Sequence, residues 1–313
     1  MNMAEPEIKF KDGSSLTADP ARTILNYMKM MRIEQWIKNL FVFVPLIFSR
    51  HLFDMPFLFQ VIEGFIAFCL TSGAVYIMND LIDIKSDMLH PVKRFRPIAS
   101  GAVSKGKAVT SLVILVLGVL LLMSQLNIKF NLVLLSYVAI NICYSFYLKH
   151  IVIVDIMSIA AGFMLRVLAG GFVISVYISS WLILTTLFVS LFLAVMKRRS
   201  ELSLTLSEEG GITRKVLSEY TISFTDQIAT ISASGVIICY ALYSVSERTV
   251  NYLHTESLVY TTVFVVFGIF RFMYLVYRKS KGENATEVMM TDLPMIINTI
   301  LYVLAAVYIV YFK

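Results

Sequence analysis

Residues 56–101 read PFLFQVIEGFIAFCLTSGAVYIMNDLIDIKSDMLHPVKRFRPIASG. Up to Asn79 the stretch carries Glu63 as its sole charge, and it is long enough to cross a bilayer as a helix, which takes about 20 apolar residues. From Asn79 to Gly101 the character changes. Asp80, Asp83 and Asp87, His90, and the bases Lys85, Lys93, Arg94 and Arg96 crowd into one short span. On a helix Asn79, Asp83 and Asp87 share a face, with Asp80 one position round the same turn. Oxygen-only clusters of this kind suit Mg²⁺, which keeps several waters and takes one or two carboxylates plus substrate phosphate oxygens. Lys93, Arg94 and Arg96 are what a phosphorylated ligand needs. A merely solvated connector would not segregate carboxylates at helical spacing, then break at His90-Pro91, then close with a cationic block. The stretch therefore predicts a Mg²⁺-bound diphosphate site at a membrane surface.

Composition extends this reading to the whole chain. It is 58% hydrophobic with a mean hydropathy of +0.77, and apolar runs of spanning length recur along it. The pattern predicts an all-α polytopic membrane protein with nine transmembrane helices, near 39–51, 56–79, 108–125, 130–148, 151–176, 180–196, 221–246, 257–277 and 292–312. The first run is short and holds Pro45, so it is expected to extend back through an amphipathic surface stretch, Ile24–Lys38. Residues 1–23 are polar, show no cleavable signal, and read as a flexible cytoplasmic leader to a single domain over 24–313. With the N-terminus in the cytoplasm, 21 of the 27 Lys and Arg fall on the cytoplasmic side, and only Arg50, Lys129, Arg248 and Lys313 on the other. The acidic motif then faces the cytoplasm. The net charge of +6 is an orientation and headgroup signal and does not imply nucleic acid.

Several chemistries are excluded. Cys69, Cys143 and Cys239 all lie in apolar runs without paired spacing, which argues against a disulfide framework or a thiolate metal site. There is no Gly-rich phosphate loop and no Ser-His-Asp pattern. Other polar residues stand out because an anchor would not require them. Arg32, Lys38 and Asn39 lie in RIEQWIKN before the first span, where Lys38 and Asn39 would face the cavity mouth and Arg32 a phosphate. Asp155 opens the fifth span and Arg166 lies 11 residues deeper, where an arginine is costly unless partnered. Gly162, Gly170 and Gly171 suit close helix packing. KRRSEL (197–202) follows the sixth span, and Glu283, Glu287 and Asp292 precede the last, positioned to cap it or to place a sugar.

Nine spans with N-D-x-x-D-x-x-x-D after the second, followed by K-x-x-R-P, resemble the UbiA superfamily of intramembrane prenyltransferases, from about Ile24 to the end of the chain. Within it the chain is most similar to the decaprenyl-phosphate phosphoribosyltransferase branch, through RIEQWIKNLFVFVPL, NDLIDIKSDMLHPVKRFRPIASG, YSFYLKHIVIVDIMSIAAGFMLRVLAGG and LFLAVMKRRSEL. That resemblance implies phosphoribosyl diphosphate (PRPP) as donor, a polyprenyl phosphate as acceptor, and Mg²⁺ held by Asn79 and Asp83 with help from Asp80 or Asp87. It implies that Lys93 and Arg96 neutralise the leaving diphosphate. Lys38, Lys197 and Arg198 are expected at the lipid phosphate and the ribose 5-phosphate, and Arg32, Asn39, Tyr144, Lys149, Asp155, Arg166 and Glu201 complete the substrate-binding set. A bacterial plasma-membrane location and a product feeding cell-envelope glycan (arabinan) precursors are implied too, with a homo-oligomer as an option.

One departure separates the branches. Aromatic prenyltransferases of the superfamily carry a second aspartate-rich motif after helix six, whereas here that loop reads KRRSELSLTLSEEGGITRK, with Glu201, Glu208 and Glu209 as its only acids. The change favours a phosphate site over a metal site. Prenyl transfer to an aromatic acceptor is the nearer rival reading. An anionic-lipid carrier is the other, and it would call for inverted repeats that are not evident.

Overall fold

The computed structural model describes residues 20–207, 215–279 and 291–313. Among them there are helices and no strands. In chain order the α-helices are α1 (Pro20–Met31), α2 (Val44–Phe48), α3 (Met55–Ile82), α4 (Ile84–Leu89), α5 (Lys105–Gln125), α6 (Ile128–Phe146), α7 (Val154–Val173), α8 (Ser180–Ser207), α9 (Ile222–Val245), α10 (Glu247–Leu253), α11 (Thr262–Lys279) and α12 (Leu293–Phe312). Eight of them, α3, α5 to α9, α11 and α12, supply segments long and apolar enough to cross a membrane. Their ends are fixed locally. Ser104, Asn127, Thr221 and Asp292 each accept a hydrogen bond from the backbone N–H three residues on, the usual N-cap arrangement.

The first crossing differs from the expected helix. Ile33–Phe43 is a 3₁₀ helix that continues into α2, and Arg32 before it is left-handed at φ 51°. The amphipathic stretch is therefore cut in two. Its first half forms α1 along the end of α3, and its second half turns inward. Eleven 3₁₀ residues at about 2 Å each, plus the five of α2, reach about 30 Å, roughly the hydrocarbon thickness. The segment starts beside Asp80 at one end of α3 and finishes at Ser49, whose carbonyl accepts from Tyr252. It thus makes a ninth crossing alongside the eight long helices. α1 begins at Pro20, within the stretch expected as a leader, and residues 1–19 lie outside the described residues.

Helices α3 and α7 form the centre. Their apolar windows are 61% and 56% buried, against 6% for α5, which faces outward. A 3₁₀ crossing can lie close to α7 only where no side chain intervenes, and Gly170 supplies that place. A Cβ there would overlap the Val42 carbonyl, and one at Gly171 would overlap Ile178. The expected packing role of these glycines is met. Gly170→Ala forces the two backbones apart and is expected to lower stability by about 1–3 kcal/mol, read as a lower melting temperature in detergent. An unchanged melting temperature would contradict the packing.

Candidate functional site

The acidic motif does not run along one unbroken helix. α3 ends at Ile82, Asp83 has φ −87° and ψ 5°, and α4 restarts at Ile84. The break carries Asp87 round to the side of Asp80. Both are buried, and one arginine joins them. Arg96 Nη1 donates to Asp80 Oδ1 at 3.1 Å and to Asp87 Oδ2 at 2.7 Å, while Arg32 Nη2 donates to Asp80 Oδ1 at 2.7 Å. Arg32 also lies over the Tyr76 ring, 4.6 Å from its centroid. Asn79 Oδ1 accepts from Ser145 Oγ on α6 at 3.0 Å.

Two of the three aspartates are thus committed to arginines. Asp83 is half-buried, one turn beyond Asn79, and its carboxylate enters no ion pair among the described residues. No group of three His, Cys, Asp or Glu forms a protein-only metal cage among those residues. One carboxylate and one amide oxygen is the modest donor set Mg²⁺ accepts when waters and substrate phosphates fill the remaining positions. The residues present fit such an ion. Lys93 begins a 3₁₀ turn (Lys93–Phe95) beside this group, its N–H donating to His90 Nδ1.

Deeper in, Arg166 is buried and hydrogen-bonded through each of its three nitrogens, yet only to neutral groups. Nε donates to Asn39 Oδ1 at 2.8 Å, Nη1 to the Gly162 carbonyl at 2.8 Å and Nη2 to the Tyr137 hydroxyl at 2.9 Å. The Tyr137 and Phe163 rings lie 4.7 and 5.3 Å from its guanidinium carbon. Asn39 is itself fixed by donating to Cys69 Sγ and Ser72 Oγ on α3. No described carboxylate balances the Arg166 charge. Lys38, half-buried on the 3₁₀ crossing, feels it: Lys197, Arg166 and Arg32 all turn positive charge toward its ammonium, and Glu34 opposes them. Cations from the 3₁₀ crossing, α7 and α8 thus converge at Lys38.

The third group closes the mouth between α7 and α8. Arg198, expected at a phosphate, is buried and engaged on every side: Nε donates to Asp155 Oδ2 at 2.7 Å, Nη1 to Glu201 Oε2 at 2.6 Å and Nη2 to the Tyr144 hydroxyl at 3.2 Å. It holds the site together rather than standing open to a ligand. Tyr220, in the α8–α9 connection, donates to Asp155 Oδ1 at 2.7 Å and accepts from the Ile153 N–H at 2.8 Å. Lys197, one position before Arg198 on α8, keeps its side chain 45% exposed with Glu201 4.0 Å away. Lys149 is half-buried in the turn Leu148–His150 between α6 and α7.

The structure brings the predicted residues to one end of the bundle, in these three groups. Sequence reasoning missed Ser145, Tyr137 and Tyr220. Ser145 lay within a stretch already singled out, but Tyr137 and Tyr220 carry no signal that separates them from the chain's other tyrosines. Asp292 caps α12 and receives two hydrogen bonds from Arg271. The cap was expected; Glu283 and Glu287, like Glu208 and Glu209, lie outside the described residues.

Comparison with known proteins agrees with this architecture. The profile of the UbiA prenyltransferase family matches residues 41–300. Decaprenyl-phosphate phosphoribosyltransferase of Mycolicibacterium smegmatis is 36% identical over 244 residues, 76% of this chain and 76% of that protein. The protein of the same name from Corynebacterium glutamicum is 33% identical over 245 residues, 77% and 73% of the two chains. A UbiA homologue from Archaeoglobus fulgidus, solved bound to GPP and Mg²⁺, superposes with a TM-score of 0.63 over 91% of this chain and 99% of that one, at 15% identity, which shows the shared fold. On the family match and the coverage of these relatives, the chain belongs to the UbiA prenyltransferase family.

Proposed function

We propose that the protein transfers the 5-phosphoribosyl group of PRPP to a polyprenyl phosphate, releasing diphosphate, at the cytoplasmic face of a bacterial plasma membrane. The observation that carries this reading is the unbalanced positive charge at the heart of the site. Arg166 hydrogen-bonds only neutral groups, and Lys38 faces Lys197, Arg166 and Arg32 with Glu34 as the acid opposing them, while Asn79 and Asp83 present oxygens at the mouth. Buried charge of one sign calls for a ligand of the other. Two phosphorylated substrates supply it, whereas an uncharged aromatic acceptor does not. The names of the similar mycobacterial and corynebacterial proteins support the same substrate class.

In this reading Asn79 and Asp83 hold Mg²⁺, with Asp80 and Asp87 set behind them by Arg32 and Arg96. Bound there, the ion would neutralise the diphosphate oxygens. Lys93 lies beside the same group and adds to that neutralisation. Lys38 and Lys197 receive the remaining phosphates, and Arg166 supplies positive potential from below. A lipid phosphate oxygen attacks C1 of the ribose as the C1–O bond to diphosphate breaks on the opposite side, through an oxocarbenium-like state with inversion. The acceptor is already an anion at neutral pH. No general base is needed.

An acceptor panel tests this. With PRPP and Mg²⁺, polyprenyl phosphate should release diphosphate, and the matching polyprenol should not. Activity confined to a prenyl diphosphate with an aromatic acceptor would overturn the proposal. Lys38→Met should raise KM for the phosphorylated substrate, whereas Lys38→Arg, which keeps the charge, should hold it closer to the parental value. Parental KM in Lys38→Met would remove Lys38 from the phosphates.

A further inference from the structure

The segment that carries Asp87 and Arg96 exposes more apolar surface than a water-facing loop tolerates. Met88 is 57% exposed, Leu89 88%, Val92 72% and Phe95 70%, four large hydrophobic side chains within eight residues. The opposite side of the segment is fully used. Ile84 and Ile98 pack into a cluster with Met30, Ile77 and Val103, and Asp87 bonds Arg96. The outward face is therefore not a misplaced core. Contiguous exposed apolar surface of this kind marks a surface that something covers.

We infer that this face is immersed in the headgroup–acyl boundary of the bilayer leaflet on the motif side. Three observations select the bilayer. The segment leaves α3 directly, and Ile82, the last residue of that spanning helix, is itself 52% exposed, so exposed apolar side chains occur on both sides of the junction between the span and the segment. The exposed bases Lys85 and Arg94 alternate with these hydrophobic residues, the pattern that places apolar side chains below anionic headgroups and cations among them. α1 repeats the arrangement, with Ile24 and Leu25 outward beside Arg22, and it rests on the same buried cluster through Met30 and Tyr27. The two elements form one shelf. Because Asp87 and Arg96 lie within the shelf, its seating in the leaflet also fixes the carboxylate pair behind Asn79 and Asp83. This inference concerns a surface and stands whichever group the site transfers.

Fluorescence quenching in bilayers tests it on the full chain. In a Cys143→Ser background, which removes the exposed thiol, Leu89→Cys and Phe95→Cys are each labelled with an environment-sensitive nitrobenzoxadiazole and placed in anionic vesicles. Both side chains are mostly exposed, so little packing is disturbed; helical circular dichroism and elution volume matching the parent confirm folding. Brominated lipids should quench both labels at least about twofold more than aqueous iodide, as expected for side chains 5–10 Å into the interface. Stronger quenching by iodide would show a water-facing loop. Quenching by neither would show a protein cover, such as a second copy of the chain. Either result overturns the inference.

Discussion

Asp83→Asn is expected to lower turnover by about 100- to 1,000-fold, the range seen when one group stabilising developing charge is removed. Its melting temperature should stay close to that of the parent. The two halves of this expectation come from one feature. Asp83 lies at the break between α3 and α4, is half-buried, and enters no ion pair among the described residues, so the fold does not depend on its charge. Asp80 provides the contrast. Its Oδ1 receives both Arg32 and Arg96, so Asp80→Asn weakens two charge-assisted hydrogen bonds and should lose stability as well as activity. Steady-state turnover at saturating Mg²⁺ beside thermal melting separates the cases. Parental turnover in Asp83→Asn would remove it from the metal site.

Asp155→Ala is expected to destabilise the protein by about 3–5 kcal/mol, a large share of an ordinary folding free energy. Arg198 and Asp155 have side chains only 2% and 0% exposed, and their contact is 2.7 Å. Deleting the acid strands a guanidinium that water cannot reach and leaves the Tyr220 hydroxyl without its acceptor. Glu201 still neutralises Nη1, which keeps the effect short of complete unfolding. Asp155→Asn keeps an acceptor oxygen and should lose less. Thermal or denaturant unfolding in detergent measures the difference, and equal stability of Asp155→Ala and the parent would contradict the network. The same contacts explain why Arg198→Lys is not conservative: a single ammonium cannot serve Asp155, Glu201 and Tyr144 in three directions.

The bundle was legible because each long helix is a continuous apolar run and nothing else in a protein needs that. The first crossing was placed only approximately. A 3₁₀ segment and an α-helix of the same residues have the same composition, and it is the contact of Val42 with Gly170, 128 positions away, that belongs to this backbone path. At the site, the spacing of Asn79, Asp80, Asp83 and Asp87 disclosed an oxygen-rich group at a membrane surface. It did not disclose that the helix breaks at Asp83, which divides the acids into two that bind arginine and one, Asp83, that enters no ion pair among the described residues. Partner choice was the least legible layer. Arg32 meets Asp80 across 48 positions, Arg166 meets Asn39 across 127 and Arg198 meets Asp155 across 43, and no periodicity carries such pairings. For that reason Arg198 read as a phosphate ligand, although its fork is occupied within the protein.

The most direct test of the account uses purified protein in liposomes with Mg²⁺, a polyprenyl phosphate and PRPP labelled in the ribose. Lipid extraction should recover the label in an acid-labile polar lipid, and EDTA should abolish it. Label that stays in the aqueous phase, with Mg²⁺ present and the protein folded, would contradict phosphoribosyl transfer and reopen the assignment of the cationic centre around Lys38 and Arg166.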